Sequence, residues 1–97
     1  MNPCSCHKTK VRSPEEMKAL TSRLARIEGQ VRGLRSMVEN HAYCPDILTQ
    51  ASAARAALAA FSRLLLESHI QTCVTEDIRS GKEGATAELM DVLRKMM

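Results

Sequence analysis

The chain has 97 residues, 26% of them charged, with a formal net charge of +3; that is enough for one small domain and too little charge by itself to name a partner. No apolar run approaches the roughly 20 residues of a membrane span, and no signal-peptide core stands near the start. The sequence therefore predicts a cytoplasmic protein without a membrane segment, whose four cysteines are reduced and serve as thiolates rather than disulfides.

Residues 1–12, MNPCSCHKTKVR, show no periodicity and carry Lys8, Lys10 and Arg12; they read as a flexible basic tail ahead of a single domain over 13–97. SPEE follows. Ser13 suits a cap, Pro14 the first helical position, and Glu16 completes a capping box. Apolar residues then fall at Met17, Leu20, Leu24, Ile27, Val31, Leu34 and Val38. Spacings of three and four alternate, which is a heptad seam and predicts a helix over about 14–40. Asn40 to Tyr43 form a turn. Cys44, Pro45 and Asp46 open a second helix, and no Gly or Pro interrupts it before Gly81, so it runs to about 79. One stripe of this helix holds Ile47, Ala51, Ala54, Leu58, Phe61 and Leu65, and another holds Ala53, Ala57, Ala60 and Leu64; one meets the first helix and the other needs a second partner. Ser80 to Glu83 repeat the S-x-x-E signal, and Leu89, Val92, Leu93 and Met96 mark a third helix over about 82–96. The predicted class is all-α. A core of Leu, Ala, Met and Val, with Tyr43 and Phe61 the sole aromatics, is thin for this length and points to oligomerisation.

HIQTC places His69 and Cys73 four positions apart, one turn along a helix and on one face. A histidine and a thiol make two soft metal ligands. The natural third, Cys44, lies 25 positions before His69, roughly 38 Å along a straight helix. An antiparallel copy of the second helix, crossing near residues 57–58, brings Cys44 of one protomer to His69 and Cys73 of the other and makes two such sites. Two thiolates and an imidazole suit three-coordinate Cu(I), or Zn(II) or Ni(II) with a fourth ligand. Cys4, Cys6 and His7 of the tail are possible extra ligands. The competing reading makes the cysteines small apolar residues and His69 an ordinary surface side chain.

RLARIEGQVRGL at 23–34, AYCPDI at 42–47 and HIQTCV at 69–74 together resemble the CsoR/RcnR-type transcriptional repressors, over about residues 15–93. The resemblance implies an all-helical antiparallel dimer with a four-helix-bundle core, paired into a tetramer. It also implies a repressor that holds operator DNA without its effector and releases it on binding. Cys44, His69 and Cys73 match the Cys–His–Cys ligands of the copper-sensing branch, and Tyr43 and Glu88 match its outer shell. The nickel and cobalt branch resembles the chain less, since it carries His where Cys73 stands. The persulfide branch lacks the histidine, and the formaldehyde branch has Pro directly after the first Met, where Asn2 stands here. The resemblance thus favours Cu(I) as effector and the derepression of copper-resistance genes, with Ni(II), Zn(II) or a reactive sulfur or aldehyde species as alternatives.

Charge distribution supports a nucleic-acid partner. Residues 1–63 hold ten Lys and Arg against five Asp and Glu, whereas 64–97 hold four against six. Arg23, Arg26, Arg32 and Arg35 stud the first helix, and a tetramer multiplies this basic surface. Arg23 and Arg63 match positions where the resembled family carries basic residues implicated in DNA contacts; Gln30 is a polar candidate in the same segment. The ordinary alternative is a solvated face, with Glu28 and Glu39 pairing neighbouring arginines. A second function class, a cytoplasmic copper carrier or thiol store, uses the same ligands without DNA. No acid–base pair, phosphate-binding loop or triad points to an enzyme.

Overall fold

The structure is a computed structural model, and it describes residues 11–81 and 83–97. The tail expectation and its candidate ligands Cys4, Cys6 and His7 lie outside the described residues. Four α-helices follow in order: α1 (Pro14–Glu39), α2 (Cys44–His69), α3 (Thr75–Arg79) and α4 (Ala85–Met96), with a π-helical turn at Ile70–Val74 between α2 and α3. No strand occurs among the described residues, so the fold is all-α as the periodicity requires. Two compact units divide the described residues, Pro14–Arg63 and a second one comprising Leu64–Met97 with residues 11–13.

In the first unit, α1 begins at Pro14 with Glu15 and Glu16 in its first turn, where carboxylates complement the helix dipole. The heptad seam has two edges. Leu20 is buried and Ile27 and Leu34 are half-buried, each seven residues from the next, whereas Met17, Leu24, Val31 and Val38 are exposed at the same period. The helix ends in a Schellman motif. The His41 amide donates to the Val38 carbonyl at 3.2 Å and the Ala42 amide to the Met37 carbonyl at 2.9 Å, so two of the last carbonyls are satisfied. His41 occupies the left-handed position, φ 57°, that glycine usually takes. Asn40 Nδ2 adds a bond to the Ser36 carbonyl at 2.8 Å. α2 starts at once: the Tyr43 carbonyl accepts from the Asp46 and Ile47 amides at 3.0 and 3.2 Å. The turn folds α2 back along α1. Ile27 and Ala57, equally far along the chain from Ala42, line one small cavity, and Ala54 is buried. Ala57 therefore faces α1 of its own chain; Leu58 beside it is exposed.

In the second unit, α3, α4 and the π turn pack on one another. Cys73, Val74 and Ala85 form their buried centre. The second predicted helix thus keeps its helical backbone to Arg79 but carries a π turn within it. The third begins at Ala85 rather than at 82, and the S-x-x-E signal does not cap it. Ser80 Oγ donates instead to the Asp77 carbonyl at 3.1 Å, closing α3. Gly84, at φ 81°, stands at the N-cap of α4 and its carbonyl accepts from the Glu88 amide at 2.9 Å. Gly81 also has positive φ, 74°; two left-handed residues reverse the chain here, and both being glycine makes this cheap.

Candidate metal centre and nucleic-acid face

His69 is the last residue of α2, and Cys73 lies in the π turn that follows it. Cys73 is 1% exposed, while His69 is half-buried. Two threonine hydroxyls bond within this turn. Thr72 Oγ1 donates to the Ser68 carbonyl at 2.7 Å and lies 3.7 Å from Cys73 Sγ. Thr75 Oγ1 donates to the Ile70 carbonyl at 2.6 Å, the same oxygen that receives the Thr75 amide. That amide-to-carbonyl bond spans five residues, which defines a π turn. Periodicity alone missed these threonines; the concentration of β-branched residues at Ile70, Thr72, Val74 and Thr75 is the signal that could have drawn attention to them, since such side chains crowd the preceding turn of an α-helix.

The thiols differ from one another. Cys44, at the start of α2, carries a free, exposed thiol. Cys73 is disulfide-bonded in this structure, whereas the sequence predicts reduced thiols. A disulfide sulfur has no thiolate charge to offer a metal, so Cys73 becomes a ligand only after reduction. Among the described residues of one chain, no three His, Cys, Asp or Glu side chains converge to hold a metal ion. Tyr43 is exposed beside Cys44, and Glu88 is exposed in the first turn of α4. The reduced donor set fits a soft ion: two sulfurs and an imidazole are the chemistry that Cu(I) prefers over hard oxygen ligands.

The basic candidates separate by position. Arg23, Arg26 and Gln30 share one side of α1 and line, with Ile27 and Ala57, a cavity of about 130 Å³. The Gln30 Oε1 atom is buried there without a hydrogen-bond partner among the described residues. Arg32 lies nine positions from Arg23, about 180° round the helix, and belongs to the opposite side of α1. Arg63 is exposed on α2. Arg35 approaches Glu39 at 3.9 Å, an exposed pair as the spacing suggests and of small energetic weight.

A helical protomer bearing a histidine and a cysteine on one turn and a cluster of arginines on another helix has the parts of a metal-responsive regulator of transcription. Residues 16–95 match the metal-sensitive transcriptional repressor family. The chain belongs to that family, and it is a regulator rather than an enzyme. It is 50% identical over 91 residues to the copper-sensing transcriptional repressor CsoR of Bacillus subtilis (strain 168), covering 92% of this chain and 90% of that protein. It is 45% identical over 69 residues to the copper-sensing transcriptional repressor RicR of Mycobacterium tuberculosis (strain ATCC 25618 / H37Rv), covering 71% and 72%. Its fold is similar to that of the copper-sensing repressor CsoR with Cu(I) from Geobacillus thermodenitrificans NG80-2, with a TM-score of 0.83, 49% identity, and coverage of 88% and 90%. The nickel-responsive transcriptional regulator InrS is also similar, with a TM-score of 0.74, 39% identity, and coverage of 90% and 99%. No helix among the described residues is long and apolar enough to cross a membrane.

Proposed function

We propose that this chain is a cytoplasmic, copper(I)-responsive repressor that binds operator DNA without metal and releases it when Cu(I) binds, derepressing copper-resistance genes. The observation that carries the proposal is the pair His69 and Cys73 on one turn, with a third soft donor, Cys44, at the far end of α2. The kinship to copper sensors adds to it. When bound, Cu(I) supplies a soft cation that ties together two thiolates and one imidazole. Cys44 comes from one protomer, and His69 and Cys73 from its antiparallel partner. Tyr43 and Glu88 stand outside this ligand set, where hydrogen bonds orient ligands and pass a change onward. Residues 13–97 then act as one metal-sensing and DNA-binding domain.

Assembly follows from the exposed edge of α1, where Met17, Leu24, Val31 and Val38 face outward. A second copy covers such an edge in a four-helix bundle, and two dimers make the tetramer. For DNA, Arg23 and Arg26 on one side of α1, Arg32 on the other and Arg63 on α2 are the residues that would neutralise phosphates, and Gln30 is the polar candidate beside Arg23 and Arg26. No helix stands out as a reading helix, so backbone and shape readout dominate.

Release requires coupling: Cu(I) weakens DNA binding by the same free energy by which DNA weakens Cu(I) binding. Titration of the reduced protein with Cu(I), Ni(II), Zn(II) and Co(II), read by absorption and by release of a promoter fragment, tests this. Cu(I) should bind tightest and release DNA at one ion per protomer. A carrier would bind Cu(I) yet show no metal-sensitive DNA binding; release by Ni(II) alone would assign the nickel branch.

A further inference from the structure

The π turn is out of place in a helix chosen only for packing. A π turn carries one residue more than the α-helical turn it replaces. It therefore rotates everything after it by about 100° relative to an uninterrupted α-helix. Here that rotation falls between His69 and the rest of the second unit. It brings Cys73 and Val74 together into the buried centre against α4 and leaves Ile70 exposed. The turn is closed by the Thr75 amide on the Ile70 carbonyl. That carbonyl receives a second bond, at 2.6 Å, from the Thr75 hydroxyl. Thr72 bonds back to the Ser68 carbonyl and touches the sulfur side of Cys73. No regular α-helix needs a threonine hydroxyl on a carbonyl five residues back; this bond exists because the turn is wide.

We propose that Thr75, assisted by Thr72, is a positioning residue for the metal centre: its hydroxyl holds the π register that sets the direction of the Cys73 sulfur relative to the His69 imidazole. This rests on the reading of His69 and Cys73 as ligands. Thr75 does not touch the metal. It acts through the backbone, so its loss misaligns a ligand that is still present. A soft-metal centre is sensitive to such misalignment, because ligands held in direction by neighbouring hydrogen bonds bind more tightly than free ones.

The test uses the full reduced chain and four variants. Thr75→Val keeps shape and removes the hydroxyl; Thr75→Ser keeps the hydroxyl. Cu(I) affinity is measured by competition with a chelator, the number of sulfur ligands by X-ray absorption, and Cys73 accessibility in the metal-free protein by alkylation with mass-spectrometric mapping. Thr75→Val should lose at least tenfold in Cu(I) affinity, show a changed ligand count, and alkylate faster at Cys73; Thr75→Ser should restore all three. Parental affinity in Thr75→Val, or failure of Thr75→Ser to rescue, overturns the proposal. Should Thr75→Val fail to fold, Thr72→Val carries the same expectations. Cys73→Ala is the control on the underlying reading. If it binds Cu(I) as the parent does, the ligand assignment falls and this inference falls with it; if it loses Cu(I) while both threonine variants bind normally, the ligand assignment stands and the positioning role alone is wrong.

Discussion

His41 holds the one left-handed non-glycine position among the described residues, and it does so at the reversal that sets α2 against α1. A side chain there costs roughly 1–2 kcal/mol in steric strain, partly offset because glycine loses more backbone freedom on folding. His41→Gly should therefore stabilise the protein by about 0.5–1 kcal/mol, seen as a higher urea midpoint with an unchanged slope; a lower midpoint would mean that the imidazole makes a compensating contact in the assembly. Gln30 presents the opposite bargain. Its buried, partnerless oxygen carries a desolvation penalty of about 1–3 kcal/mol. Gln30→Met should raise stability by about 1 kcal/mol, seen as a higher urea midpoint; an unchanged midpoint would mean that the oxygen finds a donor in the assembly. Arg23→Ala should leave Cu(I) binding intact, lower DNA affinity, and flatten its dependence on salt by about one unit of slope. A gel-shift series over salt concentration checks this, and an unaltered slope would mark Arg23 as plain solvated surface.

At the scale of elements, the two edges of the α1 seam decide what kind of helix it is. A helix packed on one neighbour hides one stripe; here Leu20, Ile27 and Leu34 turn in while Met17, Leu24, Val31 and Val38 turn out at the same seven-residue period. Val31→Glu should leave the helical circular dichroism of the protomer in place and prevent assembly, because a carboxylate would be buried without a partner. Sedimentation that still reports the parental oligomer would show that this edge faces water. α1 was legible from the sequence, starting at Pro14 and ending one residue before the predicted limit, because periodicity, a proline start and a carboxylate-rich first turn all agree. The π turn was not legible, because its register is set by the packing of Cys73, Val74 and Ala85 and by two hydroxyls whose direction no spacing reveals. The late start of α4 has a similar cause. Ser80 and Glu83 satisfy the capping pattern, but two consecutive turns through Gly81 and Gly84 decide where the helix begins. For the candidate site, the four-residue spacing of His69 and Cys73 reads as one helical face, whereas α2 ends at His69 and Cys73 stands in the π turn, a register that spacing alone does not reveal.

For the molecule as a whole, a disulfide at Cys73 would make metal binding there conditional on reduction. Reduced protein should bind Cu(I) at least tenfold more tightly than protein oxidised beforehand and freed of oxidant, because only a thiolate ligates; equal affinities by chelator competition would exclude Cys73 from the centre. The outward edge of α1 has a further consequence, for the cell rather than the site. The buried apolar residues of the described chain are Leu20, Ala54, Cys73, Val74 and Ala85, three of them small, so a solitary protomer has little to hold it closed, and the proposed association would add to its stability by mass action. Surplus or newly made copies that find no partner would open often and be degraded. Proteolysis would then set a floor on repressor abundance: below it single chains would vanish, and above it assembled ones would persist.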